Sequence, residues 1–161
     1  IRIGTYQTAL DVTGNPGHAS PFEGKFNLRY VVAHALLYGS VRLNAFEPDH
    51  LTHPVISRLV KPCALYCDPE AEAAFPRARA ARVMLCLKSG ETAEHYQPTR
   101  IGDPDAPLSD AQLGAKFIEL ASVAIREDGA KRLLETLWQT GGEQRVMSLD
   151  WTGRAPLQAT N

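Results

Sequence analysis

The chain has 161 residues, of which 44% are apolar and 22% are charged, and its formal net charge is −1. These values predict a globular chain long enough to bury a sizeable core, and they argue against disorder. A balanced charge without a basic stripe argues against a nucleic-acid partner, and no apolar run is long enough to cross a membrane.

The first predicted element is a strand from Ile1 to Leu10, in which Ile1, Ile3 and Thr5 share one face. Residues 11–23 are rich in Gly, Pro, Asn and Ser, which predicts a loop. Loops of this length in a compact domain are often functional. We therefore expect a functional region where the strand enters this loop.

A buried helix is predicted over residues 26–38, because only three polar side chains interrupt its apolar sequence and Gly39 is a suitable residue to end it. A polar loop thus runs directly into buried surface, which is a natural place to hold an acidic small molecule. The side chains at this border are Lys25, Asn27, Arg29 and Tyr30.

Two of these side chains are predicted to bind substrate. The Lys25 ammonium offers a positive charge to a carboxylate, and the Tyr30 hydroxyl can form a hydrogen bond to a carboxylate or a hydroxyl. Each prediction has a structural alternative. Lys25 would then be a surface lysine with its amine in water, and Tyr30 a core tyrosine whose hydroxyl bonds within the protein.

Shorter elements follow this helix. They are a helix over 54–60, a strand over 63–67, a surface loop over 68–81 and paired strands over 82–88 and 91–97. Pro54 is tolerated in the first turn of a helix, and Ser89-Gly90 is typical of a hairpin turn. The predicted fold class is α+β, with a small antiparallel or mixed sheet and a buried helix.

Two amphipathic helices are predicted at the C-terminal end of the chain. Ser109 and Gln112 form a capping box at the start of the first, Gly129 interrupts the apolar pattern, and Gly141-Gly142 ends the second. The predicted divisions are an α+β domain over 1–101, C-terminal helices over 102–150 and a tail over 151–161.

The cysteines and histidines form no disulfide or metal pattern. Three cysteines are an odd number, and no carboxylate pattern supports His50-x-x-His53 as a metal site, so no metal is predicted. The cysteines are expected to be small reduced side chains, which fits a cytoplasmic protein. His18 is expected at the surface, and His34 is expected to be a hydrogen-bonded core histidine.

Two motifs resemble the MmgE/PrpD family, which includes 2-methylcitrate dehydratase, cis-aconitate decarboxylase and iminodisuccinate epimerase. The first motif is Gly14-Asn15-Pro16, followed by Gly24-Lys25-Phe26-Asn27, Tyr30 and an apolar helix that ends at Gly39. The second is the segment from Gly102 to Asp110, followed by Leu113, Lys116 and Phe117. The order and the spacing of both motifs fit the family over most of the chain.

The resemblance implies an enzyme that acts on a di- or tricarboxylate without a metal or an organic cofactor. Its reaction would begin with proton abstraction next to a carboxylate and would lead to dehydration, decarboxylation or epimerisation. In the family a smaller α+β domain accompanies an all-helical domain, to which the last helices return. The resemblance therefore also implies a helical domain or second subunit as partner, and a homo-oligomer.

The family's second domain lines part of the substrate cleft near the end of its first strand. This adds Tyr6 and Thr8 to the candidate substrate-binding residues. The family's clearest candidates for the general base precede the matched region, so no catalytic residue is assigned in this chain. It is expected to form one wall of the cleft and to lack turnover alone.

The chain begins at Ile1 without a methionine, so we expect either a truncated piece or one subunit of a split enzyme. Two other functions remain open. The chain would then be a non-catalytic binding or assembly subunit that pairs with a helical partner, or a structural fragment without activity. Co-purification of a second polypeptide would favour the split enzyme.

Overall fold

The computed structural model describes residues 1–140. Its internal contacts divide the chain into two compact units, the first spanning Ile1–Ala106 and the second beginning at Pro107. The first unit confirms the predicted fold class, because it combines helices with a small four-stranded mixed sheet. The tail predicted over 151–161 lies outside the described residues.

The elements of the first unit are β1 (Arg2–Thr5), α1 (Gln7–Thr13), α2 (Pro21–Lys25), α3 (Leu28–Tyr38), a 3₁₀ turn (Leu43–Phe46), α4 (Pro48–Leu51), α5 (Pro54–Val60), β2 (Ala64–Cys67), α6 (Pro69–Ala74), β3 (Ala81–Cys86) and β4 (Thr92–Gln97). The second unit contains α7 (Asp110–Gln139). The predicted helix over 54–60, the strand at 63–67 and the hairpin are confirmed.

The sheet has the order β2-β1-β3-β4, with β1 parallel to β2 and antiparallel to β3. The β3–β4 pair is the antiparallel hairpin. The register places Gly4 of β1 between Tyr66 and Arg82. A Cβ atom at Gly4 would lie 2.5 Å from Cζ of Tyr66, so the glycine lets the tyrosine ring lie across the centre of the sheet.

The main apolar core joins α3 to α4 and α5. Its buried members are Tyr30, Ala33, Leu51 and Ile56, with Phe46, Leu59 and Val60 packed against them. Local signals fix both ends of α3, since the Asn27 side chain accepts a hydrogen bond from the Tyr30 amide and Gly39 has a φ of 76°. Only an αL residue closes the helix in this way, which favours glycine there.

The predicted first strand is too long. β1 ends at Thr5, and Tyr6 is the N-cap of α1, so the segment expected to be strand and loop is helical over Gln7–Thr13. Within α1 the Gln7 side chain donates to Asp11 at 2.7 Å, and the Thr13 hydroxyl donates to the Ala9 carbonyl at 2.7 Å. The loop after the strand is therefore shorter than predicted, and α2 shortens it further.

The predicted surface loop over 68–81 contains α6. The Asp68 carboxylate accepts hydrogen bonds from the amides of Glu70 and Ala71 at 3.0 and 3.1 Å, and Pro69 occupies the first turn. An aspartate followed by proline is a strong helix start. The loop prediction was wrong because it relied on composition and passed over this cap.

The burial of α3 decreases towards its C-terminal end. Tyr30, Ala33 and His34 are buried, whereas Leu36, Leu37 and Tyr38 are exposed. The prediction of a buried helix holds for the part of α3 up to His34, which packs on α5, and the last turn of the helix presents apolar side chains to solvent.

In the second unit, the capping box of Ser109 and Gln112 is confirmed at the start of α7. The helix is interrupted at Arg126, which has a φ of 61° and a ψ of 162°, and not at Gly129 as predicted. The segments on either side of Arg126 fold back on each other and bring Gly114 close to Leu134. A Cβ atom at Gly114 would lie 3.3 Å from Cδ2 of Leu134. The predicted stop at Gly141-Gly142 lies outside the described residues.

None of the helices within residues 1–140 combines the length and the hydropathy that crossing a membrane requires.

Candidate functional site

The junction between α2 and α3 carries Lys25 and Tyr30, and the sequence builds it from short-range signals. Ser20 and Glu23 form a capping box around Pro21 at the start of α2. Gly24 is buried, and a Cβ atom there would lie 2.9 Å from Leu51 and 3.3 Å from Phe46. This close approach seats α2 on the 3₁₀ turn and α4.

Lys25 is the exposed cation of this junction. It is the last residue of α2, and its Nζ lies 5.6 Å from the centre of the Phe46 ring. None of the ion pairs found among residues 1–140 includes it. An ammonium held over an aromatic face and open to solvent is able to attract an anionic ligand.

Asn27 and Arg29 are structural ties at the same junction. The buried Asn27 amide donates to the Gly17 carbonyl at 2.8 Å, in addition to capping α3. Arg29 donates to the carbonyl oxygens of Cys63 at 3.2 Å and Gly14 at 3.1 Å. These bonds hold the loop after α1 against α3, so neither side chain is available for a ligand.

Tyr30 lies in the core and is fully buried. Its hydroxyl donates to the carbonyl oxygen of Ala45, and burial, followed by the nearby Tyr38, raises its pKa to about 12. The hydroxyl is thus protonated and has a partner within the protein. These contacts support the structural alternative, whereas the predicted hydrogen bond to substrate stays a prediction.

Tyr6 and Thr8 lie at the carboxyl end of β1, where the parallel strands β1 and β2 stop together. The Tyr6 ring stacks on Phe75 of the segment after α6, with centroids 4.4 Å apart and an angle of 11° between the planes. The Gln7 amide donates to the Glu72 carboxylate at 2.7 Å, which fixes the start of α1. Thr8 is exposed on the first turn of that helix.

A second cation lies in the vicinity of Tyr6. Arg100 forms two hydrogen bonds to the Asp103 carboxylate, at 3.1 and 2.7 Å. These bonds raise the pKa of Arg100 and lower that of Asp103, and Tyr6 adds a small electrostatic contribution to the shift of Arg100. Arg100 is therefore a charge already balanced by Asp103, unlike Lys25.

The four predicted substrate-binding residues occupy different settings. Tyr6 and Thr8 flank the start of α1, Lys25 is exposed at the end of α2, and Tyr30 is in the core. A single bridge between Gly14 and Asn27 links the end of α1 to the α2–α3 junction. The structure thus presents two candidate patches: the strand-end patch of Tyr6 and Thr8, and the junction patch around Lys25.

The sequence interpretation missed a charge cluster centred on Arg82. Its guanidinium bonds Asp68 at 2.9 Å, Glu70 at 2.6 Å and Glu94, and lies 4.5 Å from the Tyr96 ring centre. Burial opposes ionisation of Asp68, but amide donors and Arg82 together hold its pKa below the usual range. The cluster ties α6 to β3 and β4, which is a structural role.

The cysteines are free thiols, and only Cys63 is buried. Its burial raises the pKa of the thiol, which leaves it protonated at neutral pH. Within residues 1–140, no three His, Cys, Asp or Glu side chains lie together in a way that would hold a metal ion.

Comparison with known proteins agrees with the pattern of motifs. Residues 1–140 match the family model of the MmgE/PrpD C-terminal domain. The chain is 27% identical over 125 residues to cis-aconitate decarboxylase of Mus musculus, an alignment that covers 78% of this chain and 25% of that protein. It is 30% identical over 128 residues to the cis-aconitate decarboxylase-like protein oryM of Aspergillus oryzae, covering 79% of this chain and 24% of that protein. The chain spans about a quarter of the length of these curated relatives.

Proposed function

The chain belongs to the MmgE/PrpD family as a C-terminal domain, and from this membership we propose that it forms one wall of the active-site cleft of an enzyme that acts on a di- or tricarboxylate. The observation that carries the proposal is the match over residues 1–140. The two relatives, named for the decarboxylation of the tricarboxylate cis-aconitate, support a substrate of this class.

The proposed reaction begins with removal of a proton next to a substrate carboxylate. Loss of water, loss of CO₂ or return of the proton then gives dehydration, decarboxylation or epimerisation. Negative charge develops towards the carboxylate as the proton leaves, so cations and hydrogen-bond donors beside the substrate lower the barrier. The general base would come from the helical domain, and the reaction would need no metal or organic cofactor.

Lys25 is the residue that we propose as the carboxylate contact. Its amine is exposed, and the aromatic face of Phe46 beneath it orients the cation without neutralising it. The strand-end patch is the second proposed contact. There the stacking of Tyr6 on Phe75 holds the ring in place, and Thr8 offers an exposed hydroxyl.

A second candidate function is a non-catalytic binding or assembly subunit. The exposed apolar side chains Leu36, Leu37 and Tyr38 at the end of α3 favour it, because such a surface is suited to a helical partner. The two functions differ in Lys25, which a purely assembling subunit would not need. The three free thiols fit the cytoplasm as the place of either function.

The test is a Lys25→Met substitution in the complete enzyme, with this chain joined to or combined with its helical part. Methionine keeps most of the apolar stem and removes the charge. Loss of a hydrogen bond to a charged group weakens the interaction by about 1.5–3 kcal/mol. We therefore expect kcat/KM to fall roughly ten- to hundredfold, measured on cis-aconitate, 2-methylcitrate and iminodisuccinate.

The matched control is Lys88→Met. Lys88 is also exposed, but it lies in the β3–β4 hairpin turn. This turn is at the end of the sheet where β1 begins, away from the carboxyl ends of β1 and β2. Circular dichroism confirms the folding of both variants. Equal kcat/KM values for wild type, Lys25→Met and Lys88→Met would remove Lys25 from the site, and no turnover of any carboxylate by the complete enzyme would refute the proposed function.

A further inference from the structure

Four of the chain's five histidines gather around the tyrosines of α3. His18 stacks on Tyr30 at 5.3 Å between ring centres, and Tyr38 meets His34 at 4.7 Å, His50 at 4.9 Å and His53 at 6.1 Å. The members come from the loop before α2, from α3, from α4 and from the start of α5. This cluster takes no part in the proposed function.

Two of these imidazoles bond directly to each other. Nε2 of His34 lies 3.0 Å from Nδ1 of His50, and Nδ1 of His34 lies 3.0 Å from the carbonyl oxygen of Ser40. A carbonyl oxygen only accepts, so Nδ1 of His34 carries a proton. In its neutral form His34 then has a bare Nε2, and His50 must donate through Nδ1.

We propose that His34 and His50 form an acid-sensitive latch that fastens the segment 40–53, which contains the 3₁₀ turn and α4, to α3. The neutral pair forms one directional chain, from His50 to His34 to the Ser40 carbonyl. The Nδ1 proton of His34 is held by the Ser40 carbonyl, so a second ring proton on His34 must enter at Nε2. There it would place two N–H donors face to face and break the bond to His50.

The surroundings of His34 oppose that second proton. The side chain is 2% exposed, and burial lowers its pKa, with a further lowering by His50 and an opposing contribution from the Ser40 bond. The titratable rings in contact with the pair are Tyr30 and Tyr38 from α3, and Tyr38 also contacts His53. On α4 the charged neighbour of His50 in the chain is Asp49. No carboxylate among residues 1–140 forms an ion pair or a hydrogen bond with either imidazole that would stabilise a doubly charged pair.

The direction of the pH effect follows from proton uptake. In the latched state the pKa of His34 is depressed, whereas in an opened state the exposed imidazole titrates near its ordinary value of about 6.5. The opened state therefore binds more protons as the pH falls below that value, and acid favours opening. Phe46 and Leu51 of the latched segment pack against Gly24 of α2, so opening also loosens the packing of α2.

The test is amide hydrogen exchange on the 161-residue chain from pH 7.5 to 5.0, in the presence of a chelator and corrected for the intrinsic pH dependence of exchange. For the wild type we expect the protection of residues 40–53 against amide exchange to fall as the pH is lowered. The protection factor should fall by up to tenfold per pH unit for each proton that the chain takes up on opening. His34→Gln keeps an amide oxygen that accepts from His50 but cannot titrate, so its protection should lose this slope. His53→Asn should keep the wild-type slope, because asparagine replaces the cap that His53 provides to the Val55 amide.

A second measurement needs no variant. Two-bond ¹H–¹⁵N spectra of the wild type at pH 7.5 should show His34 protonated at Nδ1 and bare at Nε2, and His50 protonated at Nδ1. Protection of residues 40–53 that does not change with pH in the wild type, an unchanged slope in a folded His34→Gln variant, or the opposite tautomers would each overturn the latch.

Discussion

Tyr30 uses its hydroxyl within the core, and this decides what its removal should do. Tyr30→Phe leaves the buried Ala45 carbonyl without its donor. A buried acceptor left unpaired weakens folding by about 1–3 kcal/mol, so we expect a drop of this size in the free energy of unfolding, measured by urea titration. The control is Tyr38→Phe on the same helix, whose ring is exposed and which should change stability by less than about 0.5 kcal/mol.

The same variant distinguishes the two interpretations of Tyr30. If its hydroxyl bonds the substrate, kcat/KM of the complete enzyme should fall roughly tenfold or more under conditions in which the variant is folded. The core interpretation expects the stability loss with kcat/KM close to that of the wild type. Loss of activity without loss of stability would contradict the role that the contacts support.

The sequence located the border between polar loop and apolar helix, but not what its side chains bond. The partners of Asn27 and Arg29 are carbonyl groups 10 and up to 34 residues away. No local pattern specifies such bonds, because the loop after α1 and the end of α5 reach the junction only in the folded chain. Arg82 was missed for the same reason, since its three carboxylates come from the start of α6 and from β4.

At the scale of elements, prediction succeeded where a proline or a glycine marks the start or the end of a helix or a turn. Pro54 starts α5, Gly39 ends α3 with a positive φ, and Gly90 turns the hairpin with a φ of 90°. It failed for α1 and α6, which have seven and six residues. Helices of fewer than two turns show too little periodicity to be distinguished from a strand or a loop. The Asp68 cap signals α6, whereas α1 has no side-chain cap.

The interruption of α7 at Arg126 is a strained position. Its φ of 61° and ψ of 162° fall in a region that glycine adopts readily and other residues do not. Relief of this strain is worth about 1–3 kcal/mol, and the greater chain entropy of glycine offsets about 0.5–1 kcal/mol of it. Arg126→Gly should therefore raise the free energy of unfolding by about 1 kcal/mol, measured by chemical denaturation.

The control for Arg126 applies the same substitution within a regular part of the helix. Lys116 is exposed in the first segment of α7, so Lys116→Gly should lower stability by about 1 kcal/mol. The two glycine variants thus differ in the sign of their effect. Destabilisation by both would show that Arg126 is not strained.

At the scale of the whole molecule, we propose that this chain supplies one wall of the cleft and the helical domain supplies the general base, so the chain depends on the rest of its enzyme. The chain spans about a quarter of its curated relatives, and the family's general base is expected outside the matched region. The purified 161-residue chain should therefore show no turnover of cis-aconitate, 2-methylcitrate or iminodisuccinate. The complete enzyme in the same assay is the positive control, and robust activity of the mass-verified chain alone would contradict the proposal.

The exposed apolar surface of the first unit leads to a prediction about association. Leu36, Leu37 and Tyr38 follow one another in the last turn of α3, and all three are exposed. Contiguous apolar surface of this kind is typical of an interface, because its exposure to water is unfavourable. We expect the chain to self-associate or to bind a helical partner tightly, as measured by light scattering.

The association is tested by a double substitution, Leu36→Gln with Leu37→Gln, which should shift the chain towards monomer and reduce the binding of a hydrophobic dye. The control is Leu87→Gln in the hairpin, a leucine that is 50% exposed but stands apart from α3, and it should leave the association unchanged. Leu36 and Leu37 are 42% and 37% exposed, so the double variant removes exposed apolar surface, and its fold should survive by circular dichroism. A wild-type chain that is a stable monomer without dye binding would refute the prediction. It would also weaken the helical-partner proposal, because burial of this surface is the structural reason for the chain to require one.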